Sequence, residues 1–190
     1  MASDYKQLQL VTEHLVLKVL DENSADLVLD YYKRNTDFLK EWEAVKDSEF
    51  YTLDYQQEAL RKEFSKIIDG GTFRVWIFKK DDAFSRTIGS VALNNIVQGA
   101  FLSCHLGYKL DKEEINQGYI TEAIKKVIEF AFATLGLHRI EANILPRNTR
   151  SMRVVTKLGF YNEGLARKYL RINGKWEDHI HMVLLNEAME

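Results

Sequence analysis

The residues with the clearest chemical potential lie between His105 and Ser151. Asn116-Gln117-Gly118-Tyr119-Ile120-Thr121 joins a strand-like run, Leu106-Gly107-Tyr108-Lys109-Leu110, to a long segment of helical period. A helix whose first turn follows a glycine loop presents unpaired backbone N–H groups and the positive end of its dipole, which suits a diphosphate. His105 carries an imidazole whose ordinary pKa fits a general base near neutral pH. Asn148 is a strong helix N-cap, and Ser151 falls in the first turn it would open. His179 and His181 alternate as strand neighbours do, but no cysteine or acidic partner pattern makes them a metal pair, so no metal site is expected. A single cysteine, Cys104, excludes an internal disulfide.

Periodicity indicates the scaffold these residues need. From Ile120, the apolar positions Ala123, Ile124, Val127, Ile128, Ala131 and Leu135 recur at helical spacing, and Gly136 supplies the stop. Leu8 to Leu20 reads as a first strand interrupted near Thr12-Glu13. Asp21 to Ser24 can cap a helix bearing Leu27, Val28, Tyr31 and Tyr32. Asn35-Thr36 breaks that helix, and a second piece carries Phe38, Leu39, Trp42 and Val45. Asp54 caps a further helix with Leu60, Phe64, Ile67 and Ile68 on its buried stripe, ending at Gly70-Gly71. Strands follow at Thr72–Phe78, Thr87–Val97, Ala100–Leu110 and His138–Leu145, the last two separated by the long helix. After a helix over Asn148–Leu158, two strand-like runs flank Asn173-Gly174, a strong signal for a two-residue hairpin. The order is βααβββαβαββ. It describes an α+β fold with a mostly antiparallel sheet and one parallel pair bridged by the crossover helix.

A chain of 190 residues, 46% hydrophobic and 28% charged, fits one domain, residues 1–190, with a sizeable core. No apolar run approaches the ~18–20 residues of a membrane span and no signal peptide opens the chain, so a cytoplasmic location is expected. The net charge of −2 argues against nucleic-acid or membrane binding by overall attraction. Charge is nonetheless uneven. Residues 147–175 hold eight Lys/Arg against one acid, whereas 36–69 hold nine acids and five bases. A basic side suits a polyanionic cofactor and an acidic side a cationic acceptor, although solvated charged faces account for either.

The order of motifs strongly resembles the GNAT superfamily of acyl-CoA-dependent N-acyltransferases. Gly107-Tyr108, the helix start Gly118-Tyr119-x-Thr121-Glu122-Ala123, Asn148-x-x-Ser151, and Lys157-Leu158-Gly159-Phe160 look like its RimJ/RimL branch, named for enzymes that acetylate ribosomal-protein N-termini. The resemblance is sharp from Gly107 to Phe160, within an acyl-CoA core of about 87–160. It implies that the fourth and fifth strands splay to admit the pantetheine arm of acetyl-CoA, with Leu106, Gly107 and Tyr108 as backbone contacts. It assigns Asn116, Gln117, Gly118, Tyr119, Ile120 and Thr121 to the pyrophosphate. Of the family's loop pattern Arg/Gln-x-x-Gly-x-Gly/Ala, aligned on Ile115 to Ile120, only Gly118 fits.

By the same resemblance Asn148 binds the pantetheine, Ser151 protonates the leaving thiolate, and Trp42 lies beside the acceptor. The tyrosine that many members carry one turn after Ser151 is Val155 here. A glutamate found in some Rim-type enzymes before the last hairpin falls near Leu170. The general base therefore stays open between His105, where the family often has glutamate, Glu141 on the neighbouring strand, and water. The implied activity is acetyl transfer from acetyl-CoA to a primary amine, foremost a protein N-terminus. A small-molecule amine (antibiotic, polyamine or amino acid) is the alternative acceptor, and a silent acyl-CoA-binding module the alternative class. Expected partners are the acceptor, a ribosomal or other protein N-terminus, and a second copy in a homodimer, without direct nucleic-acid or membrane binding.

Overall fold

The computed structural model describes residues 2–190, which form one eight-stranded sheet flanked by five α-helices. The elements run α1 (Ala2–Gln7), β1 (Gln9–Val11), β2 (Leu15–Lys18), α2 (Ala25–Leu39), α3 (Leu53–Ile68), β3 (Phe73–Lys79), β4 (Gly89–Val97) and β5 (Ser103–Leu110). They continue as α4 (Tyr119–Ala133), β6 (Arg139–Ile144), α5 (Thr149–Lys157), β7 (Tyr161–Ile172) and β8 (Lys175–Leu185). Strand order across the sheet is β1-β2-β3-β4-β5-β6-β8-β7. All neighbours are antiparallel except β5 and β6, which α4 connects. The α+β class and the parallel pair are as the sequence implies. No helix among the described residues is long and apolar enough to cross a membrane.

Three local readings need correction. The first strand is two strands in a hairpin, because Thr12 Oγ1 exchanges hydrogen bonds with the backbone of Leu15 and closes a turn. Helix α2 passes straight through Asn35-Thr36 and ends at Leu39, leaving Trp42 in the turn beyond it. Both polar side chains find partners without breaking it: Asn35 donates to Tyr31 O and accepts the Lys112 N–H, while Thr36 donates to Tyr32 O. Helix α3 is capped by Thr52, whose hydroxyl accepts the Tyr55 N–H at 3.3 Å, and Asp54 lies inside the first turn.

The core lies on both faces of the sheet. On one, α4 buries Ala123, Ile124, Val127, Ile128 and Ala131 against Leu17, Val75, Val91 and Ile140. Fully burying the two isoleucines and the valine is worth about 5–9 kcal/mol as an upper bound. On the other, Val28 and Tyr31 of α2 pack with Leu60 of α3 and with Trp76 and Phe78 of β3.

Candidate active site

Strands β5 and β6 are paired at only three positions, Ser103↔Arg139, Cys104↔Ile140 and His105↔Glu141. From Leu106 onward β5 pairs with β4 alone, and Ala142 to Ile144 pair with β8 alone. Two facing strand edges are therefore left with unpaired amides and carbonyls, which an extended ligand carrying amide groups can satisfy. The wedge between them opens into a cleft of about 500 Å³.

One wall of the cleft is the start of α4. Gly118 is the N-cap, in the left-handed region at φ 88°, with no side-chain cap, so the N–H groups of Tyr119, Ile120 and Thr121 have no partner within the helix. A branched residue at this φ would be strained. The loop before it hangs on a buried charge cluster. Asp111, fully buried, accepts from the Arg34 guanidinium, which also donates to Thr87 O at 3.0 Å. Arg86 stands 3.8 Å from Asp111 and 3.1 Å from Glu114, and Glu114 is also bound by Lys79 at 3.1 Å. Gln117 belongs to this support: its amide donates to Glu113 O and to Glu114, both at 3.2 Å.

The opposite wall is the start of α5. Asn148 caps that helix as its spacing predicts, accepting the Ser151 N–H at 3.1 Å. Ser151 Oγ lies 2.5 Å from the phenol oxygen of Tyr108 on β5. Burial pushes that phenol up to about 12, against the opposing pull of the Ser151 hydrogen bond. Arg150, Arg153 and Lys157 follow at helical spacing along the same wall.

At the far mouth, Trp42 and Glu43 line the cleft, and Glu43 is bridged to Lys109 at 2.5 Å. The turn carrying them is fastened to the β7–β8 hairpin. Asn173 accepts the Val45 N–H at 2.6 Å and donates to Lys40 O at 3.4 Å.

Leu106, Gly107, Tyr108, Asn116 and Gly118 thus meet in one cleft, together with Ile120, Thr121, Asn148, Ser151 and Trp42. Four residues singled out in the sequence lie outside its lining: His105, Gln117, Tyr119 and Glu141. His105 faces Asn95, whose amide is 3.1 Å from Nδ1, while Nε2 is 3.8 Å from Glu141. Glu141 in turn accepts from Arg139 at 2.8 Å. Lys109, Asn143 and His179 line the cleft without having been singled out for it. Strand alternation puts Lys109 on the same face as Gly107, two residues before it, but puts His105 there too, and His105 lies outside the lining. The acids of 36–69 do not converge on the cleft. Asp37, Glu58 and Glu63 pair with Lys40, Arg61 and Arg74, and Glu43 alone reaches the lining.

The model of the acetyltransferase (GNAT) domain matches residues 14–161. The chain belongs to the GNAT acetyltransferase family. Its members include a probable N-acetyltransferase, YjcK, of Bacillus subtilis (strain 168), 37% identical over 172 residues, 90% of this chain and 94% of that protein. The [ribosomal protein uS5]-alanine N-acetyltransferase of Escherichia coli (strain K12) is 36% identical over 180 residues, 94% and 91% of the two chains. The crystal structure of ribosomal-protein-S5-alanine acetyltransferase from Vibrio fischeri superposes with a TM-score of 0.90 at 32% identity, covering 97% of this chain and all of the other. The chain is accordingly a GNAT N-acetyltransferase. Nothing lies within 4 Å of a Cβ added at Gly118, so the space beside the α4 N–H groups is open.

Proposed function

We propose that the chain transfers the acetyl group of acetyl-CoA to the α-amine of a protein N-terminus, of the ribosomal-protein type for which its Escherichia coli relative is named. The cleft wall carries the choice of acceptor. Among the described residues lining it, Glu43 is the one acid, set against Lys109, Arg150, Arg153 and Lys157, and it is already bridged to Lys109. A polyamine needs several free carboxylates. A peptide N-terminus brings one amine, with a pKa near ~7.7–8.0 that leaves a sizeable neutral fraction at pH 7.

In this reading the open edge of β5 from Leu106 to Tyr108 pairs with the pantetheine amides, and Asn148 adds a side-chain contact. Asn116, the backbone of Gln117, and Gly118 to Thr121 receive the diphosphate. The cations of α5 face its remaining charge. Trp42 flanks the acceptor, and Ser151 hydrogen-bonds the departing sulfur. His105 faces Asn95 and Glu141 is held by Arg139, both outside the cleft lining, so this reading gives neither the role of base. Water carries the amine's proton to solvent. Holding both substrates at reacting distance supplies much of the acceleration.

A thiol-release assay across acceptors tests the assignment. Peptides beginning Ala or Ser should react, whereas the same peptides blocked at the N-terminus, spermidine and free amino acids should not. Thiol release with spermidine and none with peptides would overturn the acceptor. Thermal stabilisation by acetyl-CoA with no turnover across the whole panel would overturn catalysis.

A further inference from the structure

We infer that the phenol of Tyr108 is a positioning residue for the leaving group: it orients and polarises the Ser151 hydroxyl, so that a chain of two donors, Tyr108 to Ser151 to sulfur, stabilises the thiolate as it departs. The inference rests on the acetyl-CoA reading above. Tyr108 enters that reading by its backbone alone, yet its side chain is the one built against Ser151. The phenol oxygen lies 2.5 Å from Ser151 Oγ and 3.1 Å from Ser151 O, and both residues line the cleft. Tyr108 stands on β5 three residues after the strand's last pairing with β6, at His105, and its ring packs against the main core, which fixes the hydroxyl. One turn further along α5, Val155 is fully buried and has no hydroxyl to offer.

The phenol has one hydrogen and two acceptors within reach, Ser151 Oγ at 2.5 Å and Ser151 O at 3.1 Å, and the inference gives it to the nearer. If Ser151 donated to the phenol, its lone pairs would face the cleft and repel a thiolate. If the phenol donates to Oγ, the serine proton is free to point at the sulfur, and each donor polarises the next. The chain donates hydrogen bonds and does not hand over protons. Burial keeps the phenol near 12, above the ~8.5 of an ordinary thiol, so moving its proton to sulfur would run uphill. The atoms then balance simply. The C–N bond forms and the C–S bond breaks, with sulfur keeping the electron pair. The amine's proton goes to water, and the thiolate later takes one from water. Tyr108 and Ser151 finish with the protons they began with.

The first test reads binding, not turnover. The affinities of CoA and of desulfo-CoA are measured by calorimetry from pH 7 to pH 9.5 for the wild type and for Tyr108→Phe, which keeps the ring in its packing. A site that prefers the thiolate binds CoA more tightly, relative to desulfo-CoA, as pH rises through the thiol's ordinary value of ~8.5. The other charged or titratable groups facing the cleft are Glu43, Lys109, Arg150, Arg153, Lys157 and His179. Whatever they contribute to binding the thiolate is common to wild type and Tyr108→Phe, so the comparison of the two proteins isolates the phenol. Tyr108→Phe should cut the wild-type gain roughly threefold to tenfold, the worth of one hydrogen bond, while desulfo-CoA affinity stays unchanged.

In turnover, the same substitution should lower kcat without raising KM for acetyl-CoA. In a Ser151→Ala background it should cost nothing more, because the chain is already cut. A Tyr108→Phe enzyme with the wild-type gain, or losses that multiply in the double variant, would overturn the inference. A wild type that binds no CoA would instead overturn the acetyl-CoA reading itself, so the two failures are distinguishable.

Discussion

Asp111→Asn should destabilise the protein far more than any other loss of one surface-connected charge. The carboxylate is fully buried and holds two guanidinium groups, that of Arg34 in contact and that of Arg86 at 3.8 Å. Its Oδ1 also accepts the Glu113 N–H at 3.1 Å. An asparagine fits the space but carries one oxygen where two are needed. Whichever way the amide turns, its NH2 faces either the Arg34 fork or the Glu113 N–H. Removing one partner of a buried pair costs roughly 3–5 kcal/mol. Arg34 keeps its contacts with Asp30 and Thr87 O, and Arg86 keeps Glu114, so the low end, about 3 kcal/mol, is expected. For a domain of this size that lowers Tm by roughly 6–12 °C at pH 7.

The sign of the pH dependence follows from the carboxyl itself. Burial raises its pKa, but the Glu113 N–H, Asn35 and Arg34 together bring it below the ordinary carboxylate value. Its contribution is thus complete above ~4, the unfolded value, and fades as pH falls through the lower folded one, so the gap between wild type and variant should narrow in acid. Because Asp111 anchors the loop leading to Gly118, KM for acetyl-CoA should also rise. Thermal melts of wild type, Asp111→Asn and the exposed control Asp30→Asn, followed by circular dichroism, decide the matter. A shift under about 2 °C for Asp111→Asn would show that the cluster carries no net stability and refute the reasoning.

Asn173→Gly keeps a residue able to hold the turn's φ of 50° but removes both hydrogen bonds to the Lys40–Val45 segment; KM for a peptide acceptor should rise while KM for acetyl-CoA holds. Equal acceptor KM values would rule out a latch. The Cys104 thiol, pushed by burial up to about 12, should resist iodoacetamide at pH 8 until the chain is unfolded; alkylation at the rate of a free thiol would contradict this. His14 is raised by its hydrogen bond to Glu122, while Glu122 is lowered overall, its bonds from Thr12 and His14 outweighing burial. The pair should therefore stabilise the protein between the carboxylate and imidazole ranges, losing the His14 share as pH rises through its elevated value and the Glu122 share in acid. Glu122→Gln should flatten Tm against pH across that window, and an unchanged profile would dismiss the pair.

What could be read from the sequence, and what could not, divides by distance along the chain. The α4 stripe, the Gly118 start, the Asn148 cap and the Asn173-Gly174 turn are local patterns, each fixed by dihedral preference or by spacing within a turn or two. Asn35 and Thr36 show where such patterns mislead. They are poor helix interior residues by propensity, yet the Lys112 N–H, far away in sequence, gives Asn35 a partner that the helix alone lacks. The same holds for the site. His105, Gly107 and Lys109 share one face of β5, and alternation cannot say which of them sees the cleft.

That depends on where β6 stops pairing. Up to His105 the two edges satisfy each other. Beyond it the strands no longer pair, residues of α5 and of the Asp111-anchored loop line the opening, and the amides released there are the ones a ligand can take up. Tyr108 is the instructive case. Its backbone edge is legible from the family pattern, whereas its phenol gains meaning only from Ser151 on an element that arrives after the crossover.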